Sequence, residues 1–307
     1  MSAQRRNKGR NINGIVLLNK PTGLSSNAAL QRVKRLYEAN KAGHTGSLDP
    51  LATGVLPLCL GEATKVSQFL LDSDKKYQAT VKLGVRTDSA DSEGNVIATC
   101  DDFTVTEQEV LAALETFKGE IQQIPPMHSA LKVDGIPLYK RAHRGEVIER
   151  KPRTIVVYSI ELTKFSETEL VLEIASSKGT YIRTIADDLG ELLGCGGHIT
   201  ALHRMKAGVF SEEACYSLDF LTEQKETLGL PSLDDLLIPM DKAIEDLPAV
   251  VLPSITADFV KNGQAVLVSH LPAEGLVRMY EEEQFLGIGC IDDDGKVAPK
   301  RLVVTQN

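Results

Sequence analysis

The 307-residue chain has an ordinary globular composition, with 42% hydrophobic and 25% charged residues, and its length favours two domains. No apolar run approaches the ~20 residues that span a membrane, and the basic start MSAQRRNKGR lacks the apolar core of a secretory signal, so we expect a cytoplasmic protein. The net charge of -8 by itself argues against a nucleic-acid partner. The charge is asymmetric along the chain, however: residues 1–50 hold nine Lys or Arg against two Asp or Glu, whereas residues 201–250 hold four against ten.

The N-terminal third begins with a basic tail, residues 1–10, which either guides a phosphate backbone or is a solvated tail. The run GIVLLN, residues 14–19, predicts a buried strand that ends at Lys20 and Pro21. Ser25 or Ser26 then caps a helix that runs to about residue 38. A further helix is predicted over residues 62–71.

The middle of the chain alternates between strand and helix patterns. A strand is predicted over residues 77–85, and the capping-box spacing of Thr106 and Glu109 predicts a helix that runs to Phe117. Asp134-Gly135 predicts a tight hairpin turn. Two strand-like runs, residues 154–165 and 169–177, pair most simply as antiparallel neighbours, and a helix follows from residue 180 to residue 194.

These elements predict an α+β fold with a mostly antiparallel mixed sheet flanked by helices, because no βαβ rhythm recurs. Residues 211–248 are acidic and predict helices and loops. We place a boundary near residues 248–254. Beyond it we expect a helix at 255–264 and strands at 265–269, 276–280, 285–291 and 297–304, the last two joined by a DDDG hairpin. The predicted division is therefore a tail at 1–10, a first domain at 11–248 and a second at 249–307.

The segment Lys41 to Pro50, KAGHTGSLDP, is the strongest candidate for a functional loop. It holds an imidazole, a carboxylate, two hydroxyls and two glycines between packed elements. Gly43 and Gly46 permit positive φ, and Asp49 before Pro50 is biased towards extended backbone. Taken alone, Asp49-Pro50 fits a simple turn with His44 on the surface. The ten residues together favour a site.

The motif GHTGSLDPLATGVLP resembles the catalytic segment of tRNA pseudouridine synthases of the TruB type. Further segments resemble that family in the same order: NGIVLLNKPTGLSS (13–26), YQATVKLG (77–84), IPPMHSALKVDG (124–135) and SKGTYIRTIADDLG (177–190). The C-terminal part is similar to a small PUA-like RNA-binding β-barrel. The resemblance covers nearly the whole chain and implies the pseudouridine synthase fold.

The resemblance implies that the chain isomerises uridine 55 in the T arm of tRNA as a monomer, with no obligate protein partner and no metal or organic cofactor. It makes Asp49 the catalytic carboxylate, acting either as a nucleophile on the ribose or as a base at C2′. Arg183 would pair with Asp49, and Tyr77 would stack on the uracil and is a candidate to remove the C5 proton. On their own, a tyrosine in an amphipathic element fits core packing and an arginine fits a surface ion pair.

The same resemblance implies a substrate-binding set. Tyr181 and Leu202 would line the uracil pocket, and Lys20 would lie near it. His44 would fill the place of the base flipped out of the tRNA arm, a step that costs a few kcal/mol of unstacking. The predicted substrate-binding set therefore consists of His44, Tyr181, Leu202 and Lys20.

Three residues depart from the family pattern: His128 stands where Tyr or Phe is usual, and His203 and Met205 replace residues that are commonly Arg and Thr. We expect these departures to alter pocket packing and RNA contact more than the reaction. The five cysteines are odd in number and never spaced CxxC, which argues against a zinc ribbon and a disulfide framework.

Two other classes of function fit parts of the pattern. One is an RNA-binding or tRNA-folding module without catalysis, against which the joint presence of Asp49, Tyr77 and Arg183 speaks. The other is a hydrolase that uses Asp49 at a sugar. A hydrolase would need a second carboxylate and a water path, and the sequence identifies neither.

Overall fold

The computed structural model describes residues 9–304, so most of the predicted basic tail lies outside the described residues. The strands in chain order are β1 (Gly14–Lys20), β2 (Ala42–His44), β3 (Thr53–Leu60), β4 (Lys75–Leu83), β5 (Val85–Thr87), β6 (Val96–Thr99), β7 (Gly119–Gln123), β8 (Lys132–Val133), β9 (Ile136–Pro137), β10 (Arg153–Phe165), β11 (Glu169–Ser176), β12 (Gly197–Ala207), β13 (Phe210–Ser211), β14 (Ala249–Val251), β15 (Gly275–Glu281), β16 (Gln284–Ile291) and β17 (Val297–Leu302). The α-helices are α1 (Ser26–Leu36), α2 (Ser67–Leu71), α3 (Glu107–Glu115), α4 (Leu138–Ala142), α5 (Ile182–Leu192), α6 (Leu218–Leu228), α7 (Leu230–Asp234) and α8 (Ser254–Lys261), and shorter 3₁₀ helices cover Gly61–Lys65, Glu212–Ala214 and Met240–Ile244.

Within residues 9–304, nine strands form one large sheet in the order β1-β3-β12-β4-β11-β10-β7, with β2 attached to β3 and β13 to β12. Neighbouring strands run antiparallel except β12 and β3, which are parallel over two residue pairs. The predicted α+β class with a mostly antiparallel sheet is therefore confirmed. The strand β12 at the centre of this sheet was not predicted.

The apolar runs of β1 and β3 are explained by burial on both faces of the sheet. Val16 and Leu18 belong to the main core, whereas Ile15 and Leu17 pack into a second cluster on the other face. The main core also takes apolar residues from α1, α3 and α5. Strand β11 alternates instead, as expected for a strand with one face more buried than the other.

Several local predictions are confirmed. Ser25 caps α1, where its hydroxyl accepts a hydrogen bond from the backbone N–H of Ala28 at 3.2 Å. Thr106 and Glu109 form the predicted capping box of α3. The turn after Val133 joins β8 to β9 as a hairpin, and β10 pairs antiparallel with β11.

Two local predictions are wrong. Residues 62–71 form a 3₁₀ turn followed by the short helix α2, because the hydroxyls of Thr64 and Ser67 each donate to a carbonyl three residues earlier and so compete with the α-helical ladder. Residues 265–269 do not form a strand. Only Val266 pairs, in an isolated bridge to Val297, and the neighbouring Leu267 is 69% exposed.

The C-terminal part builds a separate four-stranded sheet, β14-β15-β16-β17, with α8 packed on its own apolar cluster. It contacts the large-sheet region through Lys65, whose Nζ donates to the carbonyl of Leu302 at 2.7 Å, and through Ile288, which joins the second core cluster. The predicted domain limits and the PUA-like barrel stay predictions. No helix in residues 9–304 is both long and apolar enough to cross a membrane.

Candidate active site

The loop that carries Asp49, residues 45–52, connects β2 to β3 and is held by buried polar contacts. We call it the Asp49 loop. The backbone N–H of Leu48 donates to the Ser26 hydroxyl at 2.7 Å, and that hydroxyl donates to the Leu48 carbonyl at 3.0 Å. Ser26 and Thr45 are buried, and Gly46 has a φ of +89°, which glycine adopts without strain. These contacts fix the loop to the start of α1.

Arg183 lies at the second position of α5 and makes four contacts with its guanidinium while only 4% exposed. Its Nε lies 3.0 Å from Oδ2 of Asp49, and its Nη1 lies 3.2 Å from Oδ2 of Asp91. Its Nη1 and Nη2 donate to the carbonyls of Ser89 at 3.0 Å and His128 at 2.7 Å. The structure thus brings Asp49 and Arg183, 134 positions apart in the sequence, into direct contact.

Sequence reasoning missed Asp91, which completes this arrangement. Asp91 lies in the turn between β5 and β6 and is 3% exposed. Its Oδ1 accepts from the Ser89 hydroxyl at 2.6 Å and from the Glu93 backbone N–H at 3.1 Å. In the sequence this carboxylate sits in an acidic, serine-rich turn, a pattern typical of a solvated loop. Only the fold shows that it is buried against a guanidinium.

Asp49 is reachable and partly desolvated at once. Its side chain is 41% exposed, yet protein surrounds the carboxyl closely enough for burial to raise its pKa. The nearby Asp91 carboxylate raises this pKa further, whereas the cations of Arg183 and Lys20 and the His128 imidazole lower it. We take the net direction as upward, because the largest single influence is the loss of water around the carboxylate.

Lys20 was predicted as a substrate contact, and the structure places it in the interior with none of its surface exposed. Its Nζ donates to the carbonyls of Pro21 at 2.9 Å, Leu24 at 2.6 Å and Pro50 at 3.4 Å. Burial lowers its pKa to about 8. The ammonium therefore holds the Lys-Pro turn against the residue that follows Asp49.

His44 ends β2, directly before the Asp49 loop, and is half-buried. Its Nδ1 is buried and has no hydrogen-bond partner among residues 9–304. Burial and the nearby Arg204 cation both lower its pKa, which favours the neutral imidazole.

The remaining predicted residues lie on neighbouring elements. Tyr77 on β4 is half-buried against the main core, opposite Arg204 of β12, and Leu202 of β12 is 7% exposed in the same core. Tyr181 precedes α5, where its backbone N–H donates to the Gln123 side chain at 2.8 Å. Burial raises the pKa of the Tyr181 phenol, and the charges that act on it include Arg183 and Asp49.

Asp49 supplies a carboxylate and Arg183 a fixed cation, and the charges of both act on the phenol of Tyr181. A carboxylate held in this way can attack a sugar carbon or remove a proton, and the guanidinium keeps it oriented. Among residues 9–304, no three His, Cys, Asp or Glu side chains are grouped to bind a metal ion.

Comparison with known proteins finds matches to one family over most of the chain. Residues 34–182 match the family described as TruB family pseudouridylate synthase (N terminal domain), residues 183–245 match a tRNA pseudouridylate synthase B C-terminal domain, and residues 248–303 match Pseudouridine synthase II TruB, C-terminal. The chain is 54% identical to tRNA pseudouridine synthase B of Tolumonas auensis, over 99% of this chain and 96% of that protein. It is also 54% identical to the protein of the same name from Vibrio vulnificus, over 98% of each.

Among solved structures, the chain resembles one from a Cbf5-Nop10-Gar1 complex, with a TM-score of 0.72 and 27% identity over 94% of this chain and 84% of that one. A second similar fold, at 23% identity and a TM-score of 0.72, comes from an H/ACA RNP bound to a substrate RNA containing 2'-deoxyuridine, and it covers 99% of this chain and 92% of that one.

Proposed function

The chain belongs to the TruB family of tRNA pseudouridine synthases, which are isomerases, and we propose that it converts uridine 55 in the T arm of tRNA to pseudouridine. The reaction breaks the N1 to C1′ bond, turns the uracil while it is bound and forms a C5 to C1′ bond. The observation that carries the proposal is the contact between Arg183 and Asp49, which fixes a reachable carboxylate at 3.0 Å from a buried guanidinium.

Asp49 is the reacting carboxylate in this proposal. Arg183 engages Oδ2, and the side chain keeps 41% of its surface exposed, so a ribose can still approach it. Attack on the sugar and removal of a proton at C2′ both fit this geometry, and both require the ionised form. Burial raises the pKa of Asp49 and so makes the carboxylate more basic, whereas the Arg183 cation opposes this shift and favours the ionised form.

Tyr77, Leu202 and Tyr181 form the uracil pocket in this proposal. Tyr77 and Leu202 lie on the neighbouring strands β4 and β12 at the centre of the sheet, and both pack against the main core. A half-buried phenol ring offers a face for stacking on a base. Tyr77 is also the candidate to remove the C5 proton, since its hydroxyl can accept a proton once ionised.

His44 is assigned to the flipping step. A neutral, half-buried ring beside the Asp49 loop can insert where the target base left the stack without adding a charge to the RNA interior. We assign Lys20 a positioning role in place of the predicted substrate contact. Its ammonium is already occupied by three carbonyls, one of them from Pro50, and no part of it is exposed.

The tRNA backbone is proposed to lie across residues 124–153. This segment carries seven Lys or Arg against three Asp or Glu, and it begins beside the site, where the His128 carbonyl accepts from Arg183. Arg144 has 62% of its side-chain surface exposed and can neutralise a phosphate. The acidic residues 201–250 lie elsewhere in the sequence, so the phosphate-binding surface is local.

A sugar hydrolase is the weaker alternative. It would need a second carboxylate that can donate a proton, and Asp91 does not fit because it is buried and paired with Arg183. A binding module without catalysis is not supported, because the relatives that cover nearly the whole chain are named as synthases.

The test of the proposed position uses purified protein and an unmodified tRNA transcript with no cofactor added. Pseudouridine is mapped by carbodiimide modification and primer extension. We expect one new stop that reports position 55, and none on a transcript with cytidine at that position. A stop at another uridine, or none at all, would contradict the proposed substrate position.

A further inference from the structure

Arg204 is a buried arginine that sequence analysis did not single out. It lies on β12 with 1% of its surface exposed and is the largest of the fully buried side chains among residues 9–304. No carboxylate oxygen of the described residues lies within 4.0 Å of a guanidinium nitrogen of Arg204. Buried arginines are normally paired with an acid, so a different partner must account for this one.

The partners of Arg204 are two backbone carbonyls on either side of Asp49. Its Nε donates to the Val55 carbonyl at 2.7 Å, on β3 after the Asp49 loop. Its Nη2 donates to the Gly46 carbonyl at 3.2 Å, within the loop and three residues before Asp49. One planar group therefore connects both arms of the chain that presents the carboxylate.

The backbone is built for this close approach. Strands β12 and β3 run parallel only at His203 with Thr53 and Arg204 with Gly54. A Cβ on Gly54 would lie 2.3 Å from the Arg204 carbonyl oxygen, so glycine is required there. His203 adds a second tie, because its Nδ1 lies 2.7 Å from the Thr53 hydroxyl.

We propose that Arg204 is a positioning residue for the isomerisation, which fixes the Asp49 loop through the Gly46 carbonyl. The proposal rests on the proposed role of Asp49. An apolar side chain of similar volume would fill the same space without burying a charge, and such replacements are often neutral or stabilising. The guanidinium of Arg204 thus serves to orient the Gly46 and Val55 carbonyls through hydrogen bonds, which an apolar side chain cannot do. Arg204 also lowers the pKa of His44, the residue directly before the loop, which agrees with its contact to the Gly46 carbonyl.

The test compares Arg204→Lys with Arg278→Lys as a matched control. Arg278 also donates from Nε to a backbone carbonyl, that of Leu247 at 2.9 Å, but it lies in the small C-terminal sheet. Each variant is measured for the single-turnover rate of pseudouridine formation, the Kd for tRNA, the Tm and the hydrogen exchange of the Leu48 and Ala52 amides.

For Arg204→Lys we expect a rate roughly 10²-fold below wild type, because a small misplacement of a reacting group can have an effect of that size, with the Kd for tRNA unchanged. The Leu48 and Ala52 amides should exchange faster. Arg278→Lys should keep the wild-type rate. A folded Arg204→Lys protein with the wild-type rate would overturn the proposal, as would an equal loss of rate in both variants.

A second variant keeps the test decisive if Arg204→Lys does not fold. Gly46→Ala leaves the core intact and strains the loop, since Gly46 has a positive φ and an added Cβ would lie 3.6 Å from Arg204 Nη1. It should lower the rate and, because alanine is strained at a positive φ, also lower the Tm slightly. A wild-type rate would overturn the proposal. An inactive wild-type protein would overturn this proposal and the proposed function together. Active wild type with equally active Gly46→Ala and Arg204→Lys variants would overturn only the role of Arg204.

Discussion

Replacing Asp91 with Asn tests the part of the site that sequence analysis missed. The substitution keeps the volume of the side chain, and its oxygen can still accept from Ser89 and Glu93 as Oδ1 does. The position of Oδ2, 3.2 Å from Arg183 Nη1, is taken by an amide that donates and cannot accept. Arg183 then loses one of its two carboxylate partners and faces a donor in its place.

The size of the effect follows from the contacts that remain. A hydrogen bond between charged groups contributes ~1.5–3 kcal/mol, and Arg183 keeps Asp49 and the carbonyls of Ser89 and His128. We therefore expect the free energy of unfolding to fall by ~1.5–3 kcal/mol, below the ~3–5 kcal/mol of a fully orphaned buried charge. If the same free energy is lost from the positioning of Asp49 in the transition state, the single-turnover rate falls roughly 10- to 100-fold, since ~1.4 kcal/mol corresponds to a factor of ten.

The pH dependence of the rate distinguishes an electrostatic role of Asp91 from a general loosening of the site in the Asp91→Asn variant. The Asp91 carboxylate raises the pKa of Asp49, so its removal should lower that pKa. In the proposed mechanism Asp49 acts in its ionised form, so activity should rise as the pH passes upward through its pKa. The acid limb of the Asp91→Asn profile should therefore lie at lower pH than that of wild type.

The assay is the release of tritium from tRNA labelled at C5 of uridine, under single-turnover conditions over the acidic range. Asp72→Asn serves as the control, because Asp72 is exposed and its carboxylate contacts Lys178 and Gln68, away from Asp49 and Arg183. A folded Asp91→Asn protein with the wild-type rate and an unshifted acid limb would refute the reasoning.

The midpoint of the acid limb in the wild-type pH–rate profile should lie above ~3.9, the pKa of an ordinary Asp, because burial raises the pKa of Asp49. A midpoint at the ordinary value in the tritium assay would contradict this. Lys20 should give a stability difference that depends on pH: its pKa is about 8 when folded against 10.5 when free, so the unfolded chain binds more protons between these values and wild type gains stability as the pH rises. Urea unfolding of wild type and Lys20→Met at the two ends of this pH range should show the gain in stability for wild type alone. An identical pH dependence of the two proteins would exclude a buried ammonium at Lys20. Binding of tRNA should weaken as salt rises, and Arg144→Gln should reduce the salt slope by about one while leaving the rate at saturation unchanged; an unchanged slope in a titration would remove Arg144 from the phosphate-binding surface.

The sequence predicted best where one local rule decides the structure. The capping box at Thr106 and the serine cap at Ser25 were found because each involves only a few neighbouring residues. The resemblance to a family, rather than spacing, pointed to the contact between Asp49 and Arg183, and the structure then supplied the 3.0 Å distance.

The parts that sequence did not predict depend on distant partners. Strand β12 was missed because its buried positions include His198 and Arg204, whose polar side chains hide the apolar alternation of a strand. Asp91 was missed because a buried carboxylate has the same local sequence as an exposed one. The role of Lys20 as a buried tie to Pro50 likewise depends on a contact across 30 positions.

The central claim is that Asp49 is the reacting carboxylate in a tRNA pseudouridine synthase. The most direct measurement compares Asp49→Asn with Asp72→Asn for pseudouridine formed in one turnover on an unmodified tRNA transcript, with the Kd for that tRNA measured in parallel. We expect no product from Asp49→Asn at the wild-type Kd, because in the proposed mechanism the carboxylate acts on the ribose and does not hold phosphate, and full product from Asp72→Asn. Product at the wild-type rate from a folded Asp49→Asn protein would contradict the claim.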